Sequence, residues 1–141
     1  MKAHGFHGVS MALYASFLAL VGVPLLALTV DVTRAYLANT RLRNATSTGC
    51  ESYVRSLDTK KFVEKGETDF SSQAGGNALE VFAQSAPPGS SLEIVPTVKN
   101  GRAVAICTGK NALRPIIPIL PVYNLSSQAA AKADFATTKN W

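Results

Sequence analysis

Residues 9–30, VSMALYASFLALVGVPLLALTV, contain no charged side chain. A helix of that length spans about 33 Å, close to the hydrocarbon thickness of a bilayer. The pattern allows two fates: enclosure in lipid, or burial in the core of an assembly made of copies of the chain. Pro24 deletes one helical hydrogen bond inside this run and Gly22 stands beside it, which predicts a kink or a local loosening. Beyond Val30 the helix is predicted to continue to about Leu57. Ala35, Ala38, Leu42, Ala45 and Gly49 recur there at spacings of three and four, a helical period. This narrow seam of small side chains admits a neighbouring backbone closely, packs on the chain's own head, or does each at a different height along the helix. Arg34, Arg41, Arg43 and Asn44 fall mainly off it.

The pattern then changes. Residues 58–76 are polar and glycine-rich, predicting a loop with a helical turn at 60–64. Asn77 reads as the N-cap of a short helix, with Leu79, Phe82 and Ala86 inward, ended by Pro87-Pro88-Gly89. The clearest local signal is SLEIVPTV and RAVAICT flanking Asn100-Gly101, the strongest short hairpin signature. A two-residue turn pairs Lys99 with Arg102, Val98 with Ala103 and Ile94 with Cys107. One face then carries Leu92, Ile94, Val98, Ala103 and Cys107, and the other Val95, Thr97, Val104 and Ile106. Pro96 cannot donate to a ladder, so its strand belongs at an edge or carries a bulge.

Pro115, Pro118 and Pro121 follow at every third position. They forbid a helix and predict an extended path, made very apolar by Ile116, Ile117, Ile119, Leu120 and Val122. Such a segment needs a cover; a neighbouring subunit or the membrane surface is expected. The tail alternates Ser127, Ala129, Ala131, Ala133 and Phe135 against Gln128, Ala130, Lys132 and Asp134, the period of a third strand, although its run of alanines also suits a helix. Trp141 reads as an interface anchor or a frayed end.

These elements predict an α+β chain: a transmembrane or filament-core helix at 1–57 carrying a small antiparallel β-sheet head at 58–141. The net charge of +5 comes from scattered cations, among them Lys60, Lys61, Lys65, Lys99, Arg102, Lys110, Arg114, Lys132 and Lys139. No run of five and no interleaved aromatics appear, so solvated surface is expected rather than a nucleic-acid site. Arg34, Arg41 and Arg43 stand where lipid headgroups would lie. Two cysteines, Cys50 and Cys107, are either a disulfide formed in an oxidising compartment or two unrelated buried thiols. The bridge is favoured because Cys107 lies on the more apolar hairpin face, where the end of the long helix would pack. Flanking charges counted alone put the head inside the cell, whereas a disulfide puts it outside.

Gly5-Phe6 resembles a type IV prepilin cleavage site, but Ser10 stands where that family has Glu, and an uncleaved anchor is the expectation. Asp31-Val32-Thr33-Arg34-Ala35-Tyr36 after the apolar run, then Leu42-Arg43-Asn44-Ala45-Thr46, resembles the N-terminal region of TadE/TadG-like proteins of the tight-adherence, Flp-type pilus system. That family's pattern has an Asp leaving the membrane, Arg-x-Tyr, and Leu-Gln-x-Ala-x-Asp-Ala-Ala. Here Arg43 replaces the Gln, Ser47 the Asp, and Thr48-Gly49-Cys50 the alanines. The Ala-rich strand near the end is also similar.

The resemblance implies a structural pilin-like subunit of a bacterial extracellular filament, held in the inner membrane before assembly and on the cell surface afterwards. Its partners would be copies of itself, other pilus-assembly proteins and membrane lipid. The alternative is a minor pilin or a membrane-anchored assembly factor. Pro24, Asp31, Arg34, Ala35, Ala38, Leu42 and Ala45 are the residues expected to serve helix assembly. Asp31 and Arg34 would pair within or between helices. Chemistry for an enzyme is missing from the pattern: His4 and His7 lack further ligands for a metal, and no Ser–His–Asp set, phosphate loop or CxxC occurs. No catalytic, cofactor, metal, nucleic-acid or small-molecule site is therefore expected. Asn44-Ala45-Thr46 and Asn124-Leu125-Ser126 match the glycosylation pattern.

Overall fold

A computed structural model describes residues 6–57 and 73–136. The predicted turn at 60–64 and Trp141 lie outside the described residues. The chain opens with α1 (Phe6–Phe17), passes through a short π-helix at Leu18–Gly22 and continues as α2 (Val23–Arg55). Proline has no N–H to give the Leu20 carbonyl four residues back, and the turn just before Pro24 is the one that widens. The loosening expected at Pro24 is thus a π turn inside continuous helix.

Only the second half of that helix meets the head. Asp31, Ala38, Leu42, Ala45, Thr46, Gly49, Cys50 and Val54 are its buried residues. A second helix pairs with it, α3 (Ala74–Ser85). It starts three residues before the expected cap, so Asn77 lies inside the helix and Gly75 and Gly76 lie in its first turn. The reason is tertiary. Ala74, Ala78 and Phe82 are all buried, a stripe at intervals of four, and that packing outweighs the poor helix propensity of two glycines. For the same reason Leu79, expected inward, is 49% exposed.

The sheet is a three-stranded antiparallel meander, β1 (Ser91–Lys99), β2 (Arg102–Leu113) and β3 (Tyr123–Ala136), in that spatial order. Asn100 and Gly101 both take positive φ, 53° and 69°, the backbone a type I′ turn needs. The resulting register pairs Lys99 with Arg102, Val98 with Ala103 and Ile94 with Cys107. Pro96 stands in the edge strand β1 opposite Ala105. Along β3, Ser127 and Ala133 are buried while Gln128, Ala130 and Lys132 are exposed, the alternation the sequence shows. Val104, expected on the outer face, is buried at 5% beside a register irregularity between Arg102 and Val104.

Two apolar clusters join α2 to the sheet. Cys50, Val54 and Leu57 pack with Ala103, Ala105, Cys107 and Ala133. Leu42, Ala45 and Phe82 form the second, flanked by Ala86, Leu92 and Leu125. The first is crosslinked by a Cys50–Cys107 disulfide with Cα atoms 5.8 Å apart. Two glycines allow these close approaches. A Cβ on Gly49 would meet the Ala78 carbonyl, Leu92 and Phe82, each at 3.2 Å; one on Gly109 would collide with Thr46 Oγ1.

Residues 114–122 join β2 to β3 at the Leu113–Tyr123 end of the ladder. The expected continuous extended path is instead a closed loop. The N–H of Leu120 donates to the Ile117 carbonyl at 3.1 Å, folding the chain around Pro118.

Candidate functional site

Two features of the described residues stand apart from the two apolar clusters: the uncovered half of the long helix, and the way the proline-rich loop is fastened to its border.

The long helix is apolar enough over Ser10–Arg55 to cross a membrane, and its most apolar window, of mean hydropathy 2.2, has none of its residues buried. Met11, Leu13, Tyr14, Phe17, Leu18, Leu20, Leu25 and Leu26 all stand more than half exposed. Enclosing such side chains is worth about 1.5–3 kcal/mol each. The polar side chains on this segment turn inward to their own backbone: Ser16 Oγ donates to the Ala12 carbonyl and Thr29 Oγ1 to that of Leu25. A hydroxyl satisfied within its own helix needs no water. Length, composition and lack of cover make the segment compatible with membrane anchoring.

The border of the segment is marked by Asp31, whose side chain is 1% exposed. The N–H of Ile116 donates to both its oxygens, at 2.9 and 3.0 Å, and the N–H of Ile117 donates to Oδ2 at 3.1 Å. Arg34, one turn on, places Nη1 3.6 Å from Oδ1 while keeping its side chain 45% exposed. A carboxylate taken from water requires such donors and a counter-charge. The helix supplies the Arg, and the loop supplies N–H groups that strands β2 and β3 cannot use.

The residues expected to serve assembly therefore separate into two groups. Pro24 lies in the uncovered segment, and Arg34 and Ala35 lie at the border, Ala35 half-buried. Ala38, Leu42 and Ala45 are at most 8% exposed. Of the two readings of the small-residue seam, the structure shows packing on the chain's own head from Ala38 to Gly49, which leaves those side chains no surface for a neighbour. Asp31 and Arg34 pair within one helix. Cys50 and Cys107 meet in the disulfide. Sequence reasoning found Arg34 as a partner of Asp31 and missed Ile116 and Ile117, because a backbone N–H carries no side-chain signature. The one available signal was an acid beside an apolar run in a chain whose loop has three prolines.

An open cleft of about 620 Å³ runs between α2 and β3, lined by Ser47, Cys50, Glu51, Arg55 and the β3 alanines. Three charged side chains line it: Arg55 Nη2 lies 4.0 Å from Glu51 Oε2, and exposed Lys132 stands among the β3 alanines. Among the described residues, no three His, Cys, Asp or Glu side chains are grouped as a metal site requires. Compared with protein families, curated proteins and solved structures, the chain has no match.

Proposed function

We propose that the chain is a structural pilin-like subunit of a bacterial extracellular filament, held in the inner membrane through its hydrophobic N-terminal helix and assembling through that helix. The observation that carries this reading is the wholly uncovered apolar segment, continuous in one helix with a head locked by Cys50–Cys107. The uncovered length is too apolar to stay in water. Lipid covers it before assembly, and equivalent segments of sister chains cover it in a fibre. The small sheet would coat the outside. The disulfide suits an oxidising compartment, which agrees with a head beyond the inner membrane. The resemblance of residues 31–46 to TadE/TadG-like proteins points to the same system.

A minor pilin or membrane-anchored assembly factor is the second reading, and one observation favours it. Asp31, the charged group best placed to pair between packed helices, is already occupied by Ile116, Ile117 and Arg34 of its own chain. Ala38, Leu42 and Ala45 are likewise covered by the head. Such a chain would keep its helix in lipid and meet partners through the head.

Electron microscopy of sheared cell-surface material, with this chain sought in the fibres by antibody, tests the first reading. Sedimentation after mild detergent extraction separates the two: a filament subunit pellets as polymer, and a minor component remains a monomer or small oligomer. A full-length chain that stays soluble and monomeric without detergent would remove both.

A further inference from the structure

We propose that residues 116–122 form a second membrane contact: the loop tip seats in the interfacial region of the leaflet from which α2 emerges, so that the head lies against the bilayer. The proposal rests on the membrane-anchored reading above and adds a surface to it.

The first observation is placement. Asp31 follows the apolar segment by one residue, a rise of about 1.5 Å, and it holds the N–H groups of Ile116 and Ile117. Wherever the helix leaves the hydrocarbon, this loop is fixed at that level. The second observation is what the loop presents. Ile119 is 91% exposed, Ile116 55% and Val122 46%. These are the exposed large apolar side chains of the β2–β3 connection, and the Asp31 that holds Ile116 stands between exposed Val30 and Val32 in the helix.

The third observation decides between lipid and water. The fewer backbone donors a loop leaves unsatisfied, the less it costs to bring it to the edge of the hydrocarbon. Pro115, Pro118 and Pro121 have no N–H to satisfy. Asp31 takes those of Ile116 and Ile117, and the Ile117 carbonyl takes that of Leu120. Of the eight residues 115–122, three bring no donor and three more have theirs engaged, which leaves those of Ile119 and Val122 for the polar headgroup layer. Charge completes the fit. Exposed Arg114 lies two residues before Ile116, and Arg34 keeps its guanidinium partly in solvent beside Asp31. Cations flanking an apolar tip match the phosphate layer above an anionic leaflet.

The test uses the full-length chain reconstituted in phosphatidylcholine–phosphatidylglycerol vesicles. Trp141→Phe removes the native tryptophan, and single reporters are then placed by Ile119→Trp, by Phe17→Trp in the apolar segment and by Gln84→Trp on the exposed face of α3. Each site is exposed within the chain, so none disturbs a core. Lipids brominated near the glycerol quench from the interface, those brominated near the acyl-chain ends quench from the bilayer centre, and iodide quenches from water. The loop contact requires the Ile119→Trp emission to be blue-shifted, to fall mostly to the shallow bromolipid and to resist iodide, while the Gln84→Trp emission falls to iodide alone. If Phe17→Trp is quenched from the centre but Ile119→Trp behaves like Gln84→Trp, the loop is wet and the proposal is overturned with the anchor intact. If the Ile119→Trp emission is blue-shifted, indifferent to bromolipid and reddened as protein is diluted in lipid, a second copy covers the loop and lipid is overturned as occupant. If neither Phe17→Trp nor Ile119→Trp answers to bromolipid, the anchored reading fails and the loop contact fails with it.

Discussion

Asp31 and Ile116 are 85 positions apart, yet both oxygens of the Asp31 carboxylate accept the Ile116 backbone N–H, at 2.9 and 3.0 Å. This contact fixes the proline-rich loop to the helix at the edge of its uncovered segment. Replacing Asp31 by Ala takes the acceptor from two N–H groups and the counter-charge from Arg34. A hydrogen bond to a charged acceptor contributes about 1.5–3 kcal/mol, and the partial exposure of Ile116 brings the expected loss to about 2 kcal/mol. Hydrogen exchange in micelles should show the Ile116 and Ile117 amides losing protection while β1 and β2 keep theirs. Arg34→Ala, at a partly exposed ion pair, should cost less than about 1 kcal/mol. Equal losses for the two substitutions would mean that the loop is held by something other than the carboxylate.

The Cys50–Cys107 disulfide closes a loop of 57 residues in sequence separation. In the chain-entropy treatment a loop of that length is worth about 4 kcal/mol, a large share of the 5–15 kcal/mol typical of a domain. Reduction, or replacement of both cysteines by Ala, should lower the denaturant midpoint of the head accordingly. The apolar segment should remain membrane-bound in either state, since its partition depends on its own composition.

Gly109 reports the closeness of β2 to α2. A Cβ there collides with Thr46 Oγ1 and comes within 3.2 Å of Leu42 Cδ1, on a helix face with no room to yield. Gly109→Ala should destabilise the head by roughly 1–3 kcal/mol, the usual cost of overpacking. Thr46→Ala removes the colliding oxygen, whose present bond is to the Leu42 carbonyl at 2.7 Å. A double-mutant cycle on head stability should therefore show the second substitution recovering much of the first; simple additivity would count against the contact.

Tyr53 packs on the disulfide cluster, and burial raises its phenol above the ordinary value of 10.0. The folded chain holds this proton more tightly than the unfolded chain. The associated stabilisation is fully present below pH 10 and is lost as pH rises through the folded value. Spectrophotometric titration should show Tyr53 ionising after a freely solvated phenol does. Tyr53→Phe should make the stability of the head less sensitive to pH in the alkaline range.

Much of this fold was legible because its causes are local. Asn100-Gly101 forces positive φ at adjacent residues and so fixes the whole β1–β2 register. Alternation in residues 127–133 fixes which face of β3 is buried. Pro24 disturbs the helix in its own vicinity whatever surrounds it. The disulfide was readable at one remove, once the hairpin register had put Cys107 on the apolar face.

The start of α3 was not legible, because Gly75 and Gly76 oppose a helix locally and only the burial of Ala74, Ala78 and Phe82 against α2 offsets them. Nor was the closure of residues 114–122, whose prolines prescribe an extended chain until Leu120 finds the Ile117 carbonyl. By itself the sequence determined that residues 9–30 must be enclosed, since twenty-two uncharged positions are rejected by water in any fold. Only the tertiary structure decided that Ala38, Leu42 and Ala45 serve the head rather than a neighbour, and that Asp31 holds Ile116. The physical reason is that a small side chain or a backbone N–H carries no mark of its partner; the partner is whatever the folded chain brings within 3 Å.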